Sequence, residues 1–411
     1  MRIGIDDTDS PQTMCTTYLG AVLVRRLRKA GIQVSRAYLV RLNPNVPFKT
    51  RGNAAIALVA EGNQEEAFSL ACRCVEELAD LKAEHTHPGV VVVGKTSSPT
   101  FYQQAVQDFC SLEDAYQVLD KEGALYRGYK IGRGLIGATA AVCAEFSDVT
   151  FEWLAYRPRE RWGSNREVDG NSLGVSEEST SPHTWDTIDR QNHVVVCVPH
   201  TPDPVLFGIR GDSPFWVARA RSFVQSEQPF TEQLYLTNQG TDAHLRDGTI
   251  GTLKEGRSYL LPGIVFSRPE TLKGGHVRFV LQDMGRKVRC MAYEPTKGFR
   301  DIVRALVPGD HLLVAGSYKK ESINLEKVRI SLLEEDVVLH SPLCTPCNRR
   351  MTSAGKDKGY KCRSCGARSF TLERIVRPRL VHTGWYEVPS CARRHLAKPL
   401  VRAPSFPSMS L

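Results

Sequence analysis

Two Cys-x-x-Cys pairs, Cys344/Cys347 and Cys362/Cys365, stand 14 residues apart near the C-terminal end of this 411-residue chain. Each pair offers two thiolates from one tight turn, and two such knuckles close a tetrahedral four-sulfur shell around a metal ion. Zn2+ is the ion expected. Its role is structural, because a closed shell leaves no position open for a substrate. Thiolates of this kind suit a reducing compartment. The other eight cysteines (Cys15, Cys72, Cys74, Cys110, Cys143, Cys197, Cys290 and Cys391) show no such spacing and read as small core residues. The spacing predicts a zinc ribbon over residues 340–380, followed by a basic, unstructured tail over 381–411.

The charge distribution points to a polyanion. The chain has 54 basic and 45 acidic residues, a net charge of +9. Residues 341–411 hold 14 basic and 3 acidic residues, whereas residues 1–249 hold 25 and 31. A positive field concentrated in one part of a chain is the usual footprint of a nucleic-acid partner. No apolar run approaches the roughly 20 residues that span a bilayer, which argues against a membrane partner. Asp6 and Asp7 stand where a secretory leader would be apolar, so a cytoplasmic location is expected. The oligomeric state is not written in the sequence.

Hydrophobic periodicity divides the rest of the chain. Residues 1–121 alternate strand and helix signals and predict an α/β layer. Residues 122–248 contain two β-α-β passes, the pattern of a ferredoxin-like domain, with the polar stretch 157–187 read as a long loop. Residues 249–339 read as five strands with a helix between the third and fourth. That is the order of an OB-fold barrel, a fold that often binds oligonucleotides. Arg286, Lys287, Arg289, Lys319 and Lys320 on its turns would meet phosphates. The fold class is multidomain α+β.

The residues that could carry chemistry lie in the N-terminal half. Asp6, Asp7 and Asp9 follow the first strand directly. Clustered carboxylates repel one another, and a divalent cation relieves that cost; Mg2+ takes carboxylate and phosphate oxygens together. The loop Asn43–Asn53 is stiffened by two prolines and offers Lys49, Arg51 and Gly52, a composition that suits a triphosphate. Gly89–Thr96 matches the letters of the phosphate loop G-x-x-x-x-G-K-T. Four consecutive valines prefer an extended strand, however, so Gly89–Val93 reads as a strand with Lys95 beyond its end. Asp203 and Asp212 lie in polar turns and could receive a cationic amine, although composition alone makes these turns ordinary loops.

Several longer motifs carry a resemblance. Gly4-Ile5-Asp6-Asp7-Thr8-Asp9-Ser10, Met14–Tyr18, Arg41-Leu42-Asn43-Pro44, Lys49–Asn53, Gly132–Gly137, Gly208–Gly211 and Thr237–His244 resemble, in order, those of the archaeal tRNA 2-agmatinylcytidine synthetases. The resemblance covers roughly residues 1–370. It implies a kinase-like N-terminal domain, then ferredoxin-like, OB-fold and zinc-ribbon domains. It also implies an enzyme that uses ATP to activate the 2-oxo group of the wobble cytidine in isoleucine tRNA with a CAU anticodon. The amine of agmatine then displaces phosphate. Carried onto this chain, Asp6, Asp7 and Asp9 would hold the metal and ATP phosphates, and Thr16 would be the autophosphorylated threonine. Lys49, Arg51, Gly52, Asn53 and Lys95 would bind ATP. Asp203, Arg210, Asp212 and Asn238 would bind agmatine. Two other readings keep the same modules: an RNA-binding protein without catalysis, and an RNA-modifying ligase that uses another amine.

Overall fold

The computed structural model describes residues 1–49, 52–95 and 98–403. Strand β1 (Arg2–Asp6) is followed by helix α1 (Thr16–Lys29), β2 (Gln33–Arg41), β3 (Ala54–Glu61), α2 (Gln64–Leu78) and β4 (Gly89–Val93). Next come α3 (Pro99–Gln107), α4 (Leu112–Lys121), β5 (Leu125–Gly128) and α5 (Gly134–Val142). All five residues of β4 are buried. Val90 and Val92 enter the core beneath α1 and α2, while Val91 and Val93 enter the core beneath α3 and α5. Burial on both faces explains an uninterrupted valine run, and the Gly89–Val93 segment is a strand, not a phosphate loop.

The second half of the sheet comprises β6 (Thr150–Tyr156), β7 (Thr184–Trp185), β8 (Val205–Gly211) and β9 (Thr231–Thr237), with α6 (Gly170–Thr180) and α7 (Pro214–Phe223). Both halves join in one nine-stranded sheet of order β5-β4-β1-β3-β2-β9-β6-β8-β7. The joint is a short parallel pairing, Leu236 with Tyr38 and Thr237 with Leu39.

The expected boundary between residues 121 and 122 is not a break in this fold. Strand β5 pairs with β4, and α5 lies against β1, β3 and β4. A helix of small apolar residues carries no periodic signal that says which sheet it covers. The stretch 157–187 is also not the long loop predicted: it contains α6, capped by Asp169 through the Asn171 and Ser172 amides. Serine and glycine mask a helix here because both score poorly inside one.

Beyond residue 249 the chain forms the five-stranded barrel anticipated, β10 (Ser258–Val265), β11 (Val277–Asp283), β12 (Arg286–Ala292), β13 (His311–Lys319) and β14 (Ser322–Leu332). Helix α8 (Phe299–Arg304) sits between the third and fourth strands, and β10 closes the barrel on β11. The zinc-ribbon segment leaves and returns through a two-stranded stalk, Asp336–His340 against Glu373–Arg377.

The predicted unstructured tail is a correction. Up to residue 403 it is ordered: β15 (Gly384–Glu387) adds to the barrel edge beside β14, Val388 enters the barrel core, and Leu396 enters the core under α3 and α5. Lys398 and Arg402 both pair with Asp148 at 2.8 Å. Its apolar anchors are too few and too widely spaced to show as periodicity. Residues 404–411 lie outside the described residues.

One buried pair couples barrel to sheet. Glu326 of β14 contacts His244 Nε2 at 2.9 Å and lies 3.4 Å from the Arg394 guanidinium. Burial opposes its charge, but these partners outweigh burial and hold its carboxyl at about 2, below the ordinary 4.5. A carboxylate depressed in the folded state stabilises the fold above its unfolded pKa and loses that contribution as the pH falls. The melting temperature is therefore expected to drop as pH falls from about 4.5 towards 2. Glu326→Gln should flatten that part of a melting-versus-pH curve, and an unchanged curve would refute the coupling.

Candidate active site

The acidic cluster is built by the exit from β1. Asp6 ends the strand, paired with Gly89 of β4. Asp7 takes a left-handed turn at φ +56°, which bends the chain back toward α1. Cys15 occupies the cap position of α1 but makes no capping bond. Asp9 fills the role from a distance: its Oδ1 accepts from the Thr16 amide at 2.5 Å and from Thr16 Oγ1 at 2.8 Å. Thr8 Oγ1 donates to Thr16 Oγ1 at 3.0 Å. Thr16 is thus held at the positive end of α1 with its hydroxyl donating to the Asp9 carboxylate.

Charge in the cluster is poorly balanced. Arg133, just before α5, binds Asp7 Oδ2 through Nε at 3.2 Å and a terminal nitrogen at 3.0 Å. Burial pushes the Asp7 carboxyl up to about 6 despite this guanidinium. Burial, and then Asp7 itself, drives the Asp6 carboxyl well above the ordinary range. Two half-buried acids that resist ionisation stand beside a third at Asp9. Among the described residues only the four ribbon cysteines bring three or more ligand atoms within 4.8 Å of one another, so these carboxylates would have to draw together around a divalent cation.

Two cavities meet at this cluster. The first, about 340 Å³, is lined by Asp6, Asp7, Asp9 and Thr16 on one side and by Phe48, Phe109, Ile131 and Ile136 on another. The second, about 240 Å³, lies between the sheet halves and is lined by Glu152, Asp203, Arg41, Arg210, Thr201 and His395. Asp9, Thr16, Gly52 and Ala54 line both. A group bound in one cavity therefore faces a group bound in the other across Thr16.

The structure sorts the predicted residues. Lys49, Gly52 and Asn53 line the first cavity, where Lys49 Nζ also donates to the Pro44 carbonyl. Arg51 lies outside the described residues. Lys95 does not join them: β1 and β4 run antiparallel, with Asp6 beside Gly89 and Arg2 beside Val93, so Lys95 emerges at the opposite end of the sheet. Asp203 and Arg210 line the second cavity. Asp203 accepts from the Val205 amide at 2.9 Å and from Thr201 Oγ1. Asp212 does not line it; it is half-exposed and contacts His183 Nδ1 at 2.8 Å, beside the ring stack of His183 on Trp216. Asn238 is buried and serves the sheet. Its side chain accepts from the Arg41 amide at 2.8 Å and donates to the Arg41 carbonyl at 2.9 Å and to Tyr102 at 2.8 Å. That ties β2 to the end of β9, where the strands pair over only Leu236–Tyr38 and Thr237–Leu39.

Glu152 and His395 were not singled out by sequence reasoning, and Arg41, Arg133 and Gly137 entered it only as members of motifs, with no role assigned. Glu152 carried a usable signal, a lone acid within the apolar strand Phe151–Tyr156. It accepts from Arg210 Nε at 3.0 Å and Gln239 Nε2 at 2.6 Å, and lies 3.9 Å from Arg41.

The four ribbon cysteines converge as predicted, with ligand atoms all within 4.8 Å of one another and Cys344 and Cys365 sulfurs 3.4 Å apart. Zn–S bonds of about 2.3 Å in a tetrahedron need sulfurs separated by a little under 4 Å, so the residues fit zinc. Among the described residues, no helix is long and apolar enough to cross a membrane.

Comparison with known proteins gives a consistent picture. Residues 2–69 match the TiaS TCKD domain, residues 132–244 the TiaS FLD domain, and residues 341–381 the TiaS C-terminal zinc ribbon domain. The isoleucine-tRNA 2-agmatinylcytidine synthetase TiaS of Methanocorpusculum labreanum is 50% identical over 403 residues, covering 98% of this chain and 97% of the relative. That of Methanosarcina mazei is 45% identical, with 98% and 97% covered. The crystal structure of a complex of TiaS with its isoleucine tRNA and ATP superposes with a TM-score of 0.92 at 40% identity, covering 98% of this chain and 97% of that one. A complex of TiaS with the same tRNA, AMPCPP and agmatine superposes with a TM-score of 0.89 at 38% identity, covering 98% and 96%.

Proposed function

This chain belongs to the isoleucine-tRNA 2-agmatinylcytidine synthetase (TiaS) family, and from that membership we propose that it uses ATP to join agmatine to the wobble cytidine of isoleucine tRNA with a CAU anticodon. The observation that carries the reading is the pair of cavities that share Asp9 and Thr16, because the reaction needs a phosphoryl donor and an amine on either side of one base.

A urea-type carbonyl is a poor electrophile. Transfer of the terminal phosphoryl group of ATP to the 2-oxo oxygen releases ADP and leaves a C–O–phosphate. The primary amine, freed of its ammonium proton to solvent, then attacks that carbon; the C–O bond breaks, a second amine proton is lost, and inorganic phosphate departs with the oxygen. The N-terminal α/β half acts as the kinase-like domain, and the half built on β6 to β9 acts as the ferredoxin-like domain. The first cavity holds ATP beside Asp6, Asp7 and Asp9, with Lys49, Gly52 and Asn53 on its wall. These three carboxylates would hold Mg2+, which when bound neutralises charge on the transferring phosphoryl group. Thr16, whose hydroxyl donates to Asp9, is the candidate for autophosphorylation. The second cavity takes agmatine, whose two positive charges suit Asp203 and Glu152. The OB-type barrel and the basic ribbon grip the tRNA, and the target base leaves its stack to reach Thr16.

The test is nucleoside mass spectrometry after incubation with Mg·ATP, agmatine and a CAU-anticodon isoleucine tRNA transcript. A cytidine heavier by agmatine minus water, absent when ATP is withheld, is the expected result. Unmodified cytidine on tightly bound tRNA would overturn the reading in favour of a binding protein. Modification with lysine but not agmatine would overturn the choice of amine.

A further inference from the structure

The ordered C-terminal segment does more than close the barrel. After β15 it crosses from the barrel to the sheet and runs along the edge of the active-site cleft. Arg393 pairs with Asp186 and with Glu387 at 2.7 Å. Arg394 donates to Asn45 Oδ1 at 3.0 Å. The His395 carbonyl accepts from the Gly240 amide at 2.7 Å, and the Leu396 carbonyl accepts from the Asp242 amide at 2.8 Å. Residues on both sides of His395 are therefore fixed by contacts to all three parts of the molecule.

His395 lines the second cavity and also a third, of about 260 Å³, that lies between this segment and the Pro44–Asn53 loop. Its Nδ1 lies 2.9 Å from a terminal nitrogen of Arg210. A guanidinium only donates, so Nδ1 must accept and the ring proton resides on Nε2. Arg41, Arg210, Lys49 and Arg394 all lie around the ring, so a protonated imidazole would add a further positive charge to a crowded wall. A Cβ placed on Gly52 would lie 3.0 Å from Nε2, which puts this nitrogen beside the residue shared by all three cavities. Nε2 has no hydrogen-bond partner among the described residues.

We infer that the C-terminal segment completes the active site, and that His395 contacts the target base there, donating from Nε2–H to a pyrimidine acceptor. Ligand chemistry selects the base. The ammonium and guanidinium of agmatine are donors only, so a donor does not suit them. A triphosphate is an acceptor too, but its proposed place is the first cavity, which His395 does not line; Leu42, Lys49, Gly52 and Asn53 are all that cavity shares with the third, where His395 stands. The carbonyl oxygen and ring nitrogen of cytosine are acceptors, and the base is the one reactant that must stand between the two cavities. The inference rests on the function proposed above.

The experiment compares wild type, His395→Phe and His395→Gln in full-length, zinc-loaded protein. Conjugation rate, KM for agmatine, tRNA affinity and melting temperature are measured for each. Phe keeps the ring volume without a donor, and Gln restores an N–H. His395→Phe is expected to lower kcat about 100-fold, in the range for loss of one preorganised donor, with KM for agmatine within about threefold. His395→Gln should recover to within about tenfold of wild type. Full activity in His395→Phe overturns the inference. So does a rise in agmatine KM at unchanged kcat, or a Gln variant as impaired as Phe at equal melting temperature. A wild-type protein that leaves cytidine unmodified refutes the function itself and this inference with it.

Discussion

Asp7→Asn is expected to lower agmatine conjugation by about 10³-fold or more while leaving the fold and tRNA affinity in place. The substitution is nearly isosteric, and asparagine is among the few residues that tolerate the φ of +56° found here. What it removes is charge. Asp7 pairs with Arg133 and lies on the wall of the cavity proposed to hold ATP. Removing a single preorganised electrostatic partner at a reacting centre costs about 10² to 10³ in rate, and loss of a cation ligand adds to that. Asp7→Ala should be equally inactive but also less stable, because alanine in a left-handed conformation costs roughly 1–2 kcal/mol. Steady-state conjugation together with thermal melting separates the two effects. An Asp7→Asn protein within about tenfold of wild type would place the phosphate-binding cation elsewhere.

What the sequence disclosed and what it hid divide along a physical line. Local constraints were legible. The four cysteines, the buried strand Gly89–Val93 and the five barrel strands follow from spacing and periodicity, which act over a few residues. The Asp6–Asp9 cluster was legible for the same reason, since its repulsion is local. Long-range placement was not. Lys95 looked like a phosphate contact from its neighbours, and only the antiparallel register of β1 and β4 shows it to be at the far end of the sheet. Asn238 lies in a polar motif that could equally bind a ligand or staple two strands, and its bonds to Arg41 and Tyr102 at the parallel joint between β2 and β9 are those of a staple. His395 had no local signal: its neighbours read as tail, and its proposed role depends on its contact with Arg210, 185 residues away, and on its place in the cavities that share Gly52.

Glycine in the Gly132–Gly137 motif is the clearest case of a sequence feature whose reason lies wholly in packing. Helix α5 lies against β1 and β4 at backbone contact. A Cβ on Gly134 would stand 2.4 Å from the Gly89 amide nitrogen, and one on Gly4 would stand 2.3 Å from the Ala138 carbonyl. At Gly137 the obstacle is the chemistry itself: a Cβ there would lie 1.8 Å from Asp6 Oδ2 and 2.6 Å from its Cγ. Asp6 cannot retreat as a unit, because its backbone is fixed in the ladder beside Gly89. Its carboxylate would have to rotate off α5 and out of register with Asp7 and Asp9. In an open helix position Gly→Ala stabilises by about 1 kcal/mol. Here overpacking reverses the sign, at about 1–3 kcal/mol, and the displaced carboxylate is expected to lower conjugation by about 10²-fold with a higher Mg2+ requirement. Gly170→Ala, at a helical site where a Cβ meets nothing within 4 Å, is the matched control and should be neutral or slightly stabilising. A Gly137→Ala protein with wild-type activity and an unchanged Mg2+ dependence would mean that the Asp6 carboxylate takes no part in the reaction.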